Sequence, residues 1–281
     1  MLRLTDVRKS FGPTIAVDGL TLEIRPGEVF GLLGPNGAGK TTTISLAVGL
    51  LRPDSGTVEI AGWGLSTDPK VRAKIGFAPQ ALAIYEQLTA EENLRFFGRL
   101  YGLSGRTLGG RVTHVLNAVG LLPRRSDRAH RFSGGMKRRL NLAVAMLHDP
   151  PMLLLDEPTA GVDPQSRHSI LELIRALKEQ GRTVVYTTHY MEEAQRLCDR
   201  VGIIDKGKLL AIGTVNELVG RFGGKSVLTV ERGELEERHD TDDPLKEITR
   251  VLAAGDVSGV RIDRPDLESV FLSLTGRSLR D

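Results

Sequence analysis

The stretch Gly34-Pro35-Asn36-Gly37-Ala38-Gly39-Lys40-Thr41 carries glycines, a lysine and a hydroxyl at the spacing of a loop that cradles phosphate groups. Each residue type has a physical task there. Glycine lets main-chain N–H groups close around anionic oxygens, and a helix opening at the end of the loop adds a favourable field for anions. Lys40 can reach the outer phosphates of a nucleoside triphosphate, and the Thr41 hydroxyl suits Mg²⁺. Far downstream, Met152-Leu-Leu-Leu-Asp156-Glu157 is a wholly apolar run that ends in two carboxylates. Asp156, at the strand end beside the loop, can hold the metal, and Glu157, with no metal to bind, can polarise an attacking water. The two groups together predict a nucleotide-hydrolysing site.

A third segment, Phe132-Ser133-Gly134-Gly135-Met136, precedes a helical stretch from Lys137 to Leu147. Ser133 and the amides of Gly134 and Gly135 form a second anion site at a helix N-terminus. One chain therefore holds two phosphate-binding surfaces in separate segments. Here the sequence closely resembles the ABC ATPases, whose signature has the form Leu-Ser-Gly-Gly-Gln at a helix start. The resemblance runs from about Leu2 to Gly220 and implies ATP as ligand, Mg²⁺ as cofactor, and a dimer in which the signature of one subunit closes over the nucleotide of the other.

The same resemblance assigns further residues. Gln80 matches the glutamine that contacts Mg²⁺ and the attacking water, and Ala160-Gly161-Val162-Asp163 is similar to the loop that communicates between subunits. His189 matches the histidine that grips the γ-phosphate, and Phe11 stands where an aromatic ring stacks on adenine. The implied ATP-binding set is Phe11, Gly34, Pro35, Asn36, Gly37, Ala38, Gly39, Lys40, Thr41 and Thr42. Thr41, Gln80 and Asp156 form the metal set, and Glu157, His189 and Gln80 the catalytic one. Phe132 and Met136 depart from the commonest signature but leave Ser133, Gly134 and Gly135 intact. The form Ser-Gly-Gly-Met-Lys-Arg-Arg resembles the ABC-2 export group, which includes daunorubicin-type resistance ATPases, and the tail Asp266–Gly276 is similar to that group's C-terminal extension. An ABC-2-type membrane permease and a second identical or related ATPase subunit are the implied partners, at the cytoplasmic face of the cell membrane.

The elements that must position these residues follow from patterning. Short β-rich runs alternate with helical stretches from Leu2 to about Gly220, which predicts an α/β core. Val29–Leu33 reads as a buried strand feeding the phosphate loop, with a helix through about Leu51. Thr57–Ala61, Ile75–Ala78 and Thr183–Thr187 are strand candidates, and Met152–Leu155 has the composition of a strand covered on both faces. Val201–Asp205 and Lys208–Ile212 flank Lys206-Gly207 as a hairpin. Between about residues 85 and 131 a helical subdomain is inserted. Thr89 and Glu92 form a capping box, then Leu94, Phe97, Leu100 and Tyr101 recur at helical spacing, as do Val112, Val115, Leu116 and Val119. The fold expected is a P-loop NTPase core with a mainly parallel sheet, an N-terminal antiparallel β part, this helical insert and a small α+β domain over 225–281. In that last part a β-α-β-α unit is read, with the acidic stretch Glu231–Asp243 as a solvated loop.

Composition is that of a folded protein: of 281 residues 40% are hydrophobic and 26% charged. The single cysteine, Cys198, excludes a disulfide framework or a cysteine zinc site. Residues 1–10 lack the apolar core of a signal peptide, and no apolar run approaches the ~20 residues that span a bilayer. The net charge of +3 hides a local basic cluster at Arg124, Arg125, Arg128, Arg131, Lys137, Arg138 and Arg139, open to reading as a phosphate-binding face or as a solvated helix surface. Two other functions compete with transport. A DNA-repair or ribosome-associated ATPase would need long coiled coils or two cassettes, which this length and pattern lack, so no nucleic-acid partner is expected. A regulator without turnover would not need Glu157 and His189.

Overall fold

The structure is a computed structural model that describes residues 1–60 and 62–276. Its described residues divide into two compact units, one from Met1 to Ile212 and one from Gly213 on. In the first unit the strands are β1 (Leu2–Phe11), β2 (Thr14–Ile24), β3 (Val29–Leu33), β4 (Ser55–Ile60), β5 (Gly64–Leu65), β6 (Ile75–Ala78), β7 (Met152–Asp156), β8 (Thr183–Thr188), β9 (Arg200–Asp205) and β10 (Lys208–Gly213, which ends at the border). Its helices are α1 (Lys40–Ala47), α2 (Pro69–Arg72), α3 (Ala90–Leu100), α4 (Gly105–Ala118), α5 (Gly134–Met146), α6 (Pro164–Glu179) and α7 (Met191–Leu197). Of the strand read over Thr57–Ala61, Ala61 lies outside the described residues.

Two sheets build this unit. The main one has the order β10-β9-β3-β8-β7-β6 and is parallel across β9, β3, β8, β7 and β6. The second, antiparallel where β1 pairs with β2 and β4, has the order β2-β1-β4-β5. Strand β7 shows why its sequence is apolar from Met152 to Leu155. Met152 and Leu154 enter the core shared with the N-terminal sheet and α1, while Leu153 and Leu155 enter the core under α3–α6. With period-two alternation and a covered face on each side, no position before the strand end at Asp156 can be polar. Parallel order has a second consequence: β3, β7 and β8 all end at the same edge, so the segments that follow them meet there.

Helix α1 ends at Ala47, short of Leu51, because the amides of Leu50 and Leu51 fold back onto the Ser45 carbonyl. The Lys206-Gly207 hairpin has φ of 47° and 77°, the paired positive values of a tight primed turn. In the helical insert the capping box forms as read: the Glu92 amide donates to Thr89 Oγ1 at 3.1 Å, and the Thr89 amide to Glu92 Oε2 at 2.8 Å. Val112, Val115, Leu116 and Val119 are all buried, but on α3 the periodic set divides. Leu94 is buried whereas Leu100 is 69% exposed, because the last turn of α3 runs past the helices that cover its middle.

The basic cluster is largely consumed locally. Arg124 pairs with Asp127, Arg125 with Glu91 and Lys137 with Glu86, and Arg139 donates to the Val119 carbonyl. Arg138 turns inward. No helix among the described residues is long and apolar enough to cross a membrane.

The second unit contains α8 (Val215–Phe222), β11 (Ser226–Arg232), β12 (Leu235–Thr241), α9 (Pro244–Ala253), β13 (Gly259–Asp263) and α10 (Leu267–Thr275). Its antiparallel sheet has the order β12-β11-β13, and Leu228, Val230 and Val251 form its core. Two expectations change here. The acidic stretch is not a loop: residues 235–241 pair along the whole of β11. The division falls after Ile212 rather than near Gly220, because α8 packs against α10.

Two stability differences follow. Leu94→Ala should cost about 2–5 kcal/mol in urea unfolding of the first unit, and Leu100→Ala within about 0.5 kcal/mol. His148 stacks on Tyr101 with ring centroids 3.7 Å apart, and burial pulls its pKa down to about 4, against about 6.5 unfolded. The folded chain thus resists a proton that the unfolded chain takes up. This contribution to stability is complete above pH about 6.5 and lost as pH falls towards 4; His148→Phe should flatten that part of a melting-temperature profile.

Candidate functional site

The edge where β3, β7 and β8 end gathers the residues singled out by their chemistry. After β3, the loop from Gly34 to Gly39 wraps back under α1. Gly39 takes φ 104° and a Cβ there would lie 2.4 Å from the Ala16 carbonyl oxygen, so only glycine fits. Lys40, 4% exposed, folds back across this loop. Its Nζ donates to the carbonyls of Gly34 at 2.8 Å and Pro35 at 3.0 Å, and lies 3.0 Å from Glu157 Oε1. An ammonium has three donors, and these are their three partners.

Glu157 follows β7 with φ 45°, an unusual value for a side-chain-bearing residue. The turn is held by a hydrogen bond that the sequence did not disclose. The Glu157 amide donates to Thr187 Oγ1 at 2.9 Å, and that hydroxyl donates to Asp156 Oδ1 at 2.7 Å. Thr187, at the end of β8, thereby fixes both carboxylates to the neighbouring strand. On the far side of Glu157, Oε2 accepts from Gln80 Nε2 at 3.4 Å and lies 3.4 Å from His189 Nδ1. The histidine contact lacks hydrogen-bond alignment, which leaves this buried nitrogen without a hydrogen-bond partner. Lys40, Gln80 and His189, from three segments far apart in sequence, thus converge on one carboxylate.

The Gln80 segment is secured by the helix that opens at the signature. Arg138 Nη1 donates to the Gln80 carbonyl at 2.6 Å, and Asn141 Nδ2 to the Pro79 carbonyl at 3.1 Å. Asn141 Oδ1 accepts from the Ala83 amide at 3.0 Å. Burial lowers the Arg138 guanidinium below its ordinary value, and Asp156 and Glu157 oppose that shift. A polar pair three residues apart within an otherwise apolar helix face was the available signal for these two residues.

Other candidates stand apart from this cluster. Ser133 caps α5, accepting from the Met136 amide at 3.3 Å. Gly135 packs on the start of α6, where a Cβ would lie 2.0 Å from Ser166 Oγ and 3.0 Å from Asp163 Oδ2. Asp163 is the N-cap of α6, accepting from the Ser166 amide at 2.8 Å, a bond that holds its carboxyl below the usual range. Among the described residues no hydrogen bond or ion pair joins Ser133, Gly134 or Gly135 to the phosphate loop. Phe11 ends β1 half exposed, with Lys9 Nζ 5.7 Å from its ring centroid. Thr41 is exposed and Thr42 half-buried at the start of α1, with side chains that make no hydrogen bond among the described residues. The donors available to a metal are carboxylate, hydroxyl and amide oxygens, a hard set that suits Mg²⁺ shared with phosphates. Asp156 is 1% exposed and receives a single side-chain hydrogen bond, so it has anionic capacity to spare.

Known proteins are similar to this chain in sequence and in fold. The family described as ABC transporter matches residues 17–160. The linearmycin resistance ATP-binding protein of Bacillus subtilis is 42% identical, with both chains covered completely. A Nod factor export ATP-binding protein I of Cupriavidus metallidurans is also 42% identical, across all of this chain and 99% of that one. Among solved structures, an ATP-binding subunit of an ABC transporter superposes with a TM-score of 0.72 at 33% identity, over 79% of this chain and 93% of that one. An ATP-binding cassette in a dimeric post-hydrolysis state, bound to ADP and Pi, gives 0.70 at 28% identity, over 76% and 98%. A phosphate loop, an acidic strand end and a capped signature helix on this fold, matched along its whole length, place the chain in the ABC transporter family, as the ATP-binding, ATP-hydrolysing subunit of an export transporter.

Proposed function

We propose that ATP is hydrolysed at the edge of the main sheet by water activated at Glu157, and that this turnover drives an ABC-2-type membrane permease. The observation that carries the reading is the convergence of Lys40, Gln80 and His189 on the Glu157 carboxylate. That carboxylate occupies a socket built for an anion, and a terminal phosphate has the same charge sign and likewise offers acceptor oxygens. When ATP enters, Lys40 exchanges Glu157 Oε1 for phosphate oxygens, and the main-chain N–H groups of residues 36–42 close around the phosphate chain. Glu157 is thereby released to accept a proton. His189 Nδ1, already lacking a hydrogen-bond partner, turns to the γ-phosphate, and Gln80 orients the water. Water oxygen bonds to the γ-phosphorus, the bond to the β-phosphate oxygen breaks, and the water proton passes to a Glu157 carboxylate oxygen.

Thr41, Gln80 and Asp156 would hold Mg²⁺, which when bound neutralises charge on the phosphate oxygens. Phe11, whose ring is half exposed, stacks on adenine. Ser133, Gly134 and Gly135 close over the nucleotide of a second subunit, with Asp163 beside them at the contact; their separation from the chain's own phosphate loop supports this. Two half-sites per chain require a head-to-tail pair burying two ATP molecules. The unit up to Ile212 acts as the nucleotide-binding domain and the unit from Gly213 on as an accessory domain that reinforces or regulates the pair. The location is peripheral, at the cytoplasmic face of the membrane. The relatives named for linearmycin resistance and Nod factor export support an outward direction of transport.

Glu157→Gln should lower kcat by about 10²–10⁴-fold while ATP still binds and an ATP-bound dimer accumulates in light scattering. Asp156→Asn should lose metal-dependent binding as well. Near wild-type turnover of Glu157→Gln would remove the assignment of the base. Lys40→Ala should abolish turnover and, by stranding a buried carboxylate, lower the stability of the nucleotide-free chain by about 3 kcal/mol in denaturant unfolding. Unchanged ATPase activity in that variant would remove the phosphate-loop assignment.

A further inference from the structure

Behind the catalytic edge lies a further buried carboxylate with no part in the chemistry described so far. Glu193, on α7, is 3% exposed. Its Oε2 accepts from the Thr159 hydroxyl at 2.9 Å, from the Thr188 hydroxyl at 3.0 Å and from the Tyr186 phenol. Its Oε1 pairs with the Arg167 guanidinium. A charge removed from water persists only where donors replace the solvent, and here they come from three segments: Thr159 after β7, Arg167 on α6, and Tyr186 and Thr188 on β8.

Those places connect to the reacting groups. Thr159 lies two residues after Glu157, within a turn closed by the Ala160 amide donating to the Glu157 carbonyl at 3.1 Å. Thr188 immediately precedes His189, and its hydroxyl also accepts from the Tyr190 amide at 2.9 Å. Arg167 lies 4.0 Å from the centroid of the Tyr190 ring, which in turn stacks at a tilt 4.1 Å from the His189 ring. The Arg167 amide donates to the Asp163 carbonyl at 2.9 Å, in the first turn of α6. Burial, and then the adjacent Glu193 charge, push the Tyr186 phenol well above its ordinary pKa, so it remains a donor. A network that served only to fill the core would not need an arm on each of the two catalytic segments.

We infer that Glu193 is a positioning residue for ATP hydrolysis, holding the Glu157 turn through Thr159 and the His189 strand end through Thr188 and Arg167. The inference rests on the roles proposed above for Glu157 and His189. Replacing the carboxylate by an amide keeps the volume but turns one acceptor oxygen into an N–H donor facing hydroxyls or a guanidinium. In either orientation the group loses its charge and the acceptor on one side of the network, so the common anchor of the two segments is weakened while the phosphate loop is untouched. The effect should fall on kcat and not on nucleotide binding.

The test is steady-state and single-turnover ATPase kinetics of full-length Glu193→Gln, with nucleotide affinity measured alongside. The expected result is a kcat lowered by about 10–100-fold with KM for ATP within about 2-fold. In a Glu157→Gln or His189→Ala background the same change should add less than about 3-fold, because residues acting as a unit are not additive. A full repeat of the loss in those backgrounds would show independent action and overturn the inference. So would wild-type kcat in Glu193→Gln when Glu157→Gln is inactive, an outcome that leaves the proposed base intact. Turnover by Glu157→Gln itself would remove that reading and the inference with it. If Glu193→Gln melts too low to assay, Thr188→Val should lower kcat by about 3-fold alone and by less than about 1.5-fold in the Glu157→Gln or His189→Ala background, and wild-type kcat alone or a full loss of about 3-fold in those backgrounds overturns the inference.

Discussion

The contact between Lys40 and Glu157 is the constraint around which the first unit is arranged. Its partners are 4% and 7% exposed and 3.0 Å apart, so each would be costly to bury alone. Satisfying both requires β3 and β7 to end at the same edge of one sheet, with β8 between them to supply Thr187. Parallel strands do this, and the crossover helices they demand cover the sheet and force β7 to be apolar on both faces. All three donors of the Lys40 ammonium are occupied, by two carbonyls and a carboxylate, and in the proposed mechanism an entering phosphate exchanges for that carboxylate.

Helix α5 serves two ends of the same problem. Its first turn carries the capped Ser133 and the close packing of Gly135 on α6. Its middle carries Arg138 and Asn141, which hold the main chain of Pro79, Gln80 and Ala83. A displacement of the signature therefore cannot leave the Gln80 segment unaffected, because a helix moves as a rigid rod while its hydrogen bonds persist. On its other flank α6 starts with Asp163 and, one turn on, presents Arg167 to Glu193. The segments bearing Gln80, Asp163 and His189 are joined through two helices, by hydrogen bonds and ion pairs at either end and by the packing of Gly135 on the start of α6 between them.

The C-terminal unit illustrates a different rule. Strand β12 reads Leu-Glu-Glu-Arg-His-Asp-Thr, with almost no apolar side chain, yet it pairs with β11 at every residue. Edge strands need only main-chain partners, and charged side chains there discourage further pairing. Patterning of side chains cannot reveal such a strand.

The sequence by itself determined the chemistry and much of the fold. Spacing marked the phosphate loop, composition marked β7, and the Thr89 capping box and the Lys206-Gly207 turn were legible because each depends on neighbours a few residues away. Local signals of this kind are written in order along the chain. The tertiary structure alone decided which distant groups meet: Thr187 bridging Asp156 and Glu157, Arg138 and Asn141 behind Gln80, and Glu193 among Thr159, Tyr186, Thr188 and Arg167. It also decided that Leu100 is exposed and that α8 groups with α10. These depend on the order and direction of strands and on what covers each helix end. A threonine ending one strand has no local feature to show that it will lie beside a carboxylate ending the next.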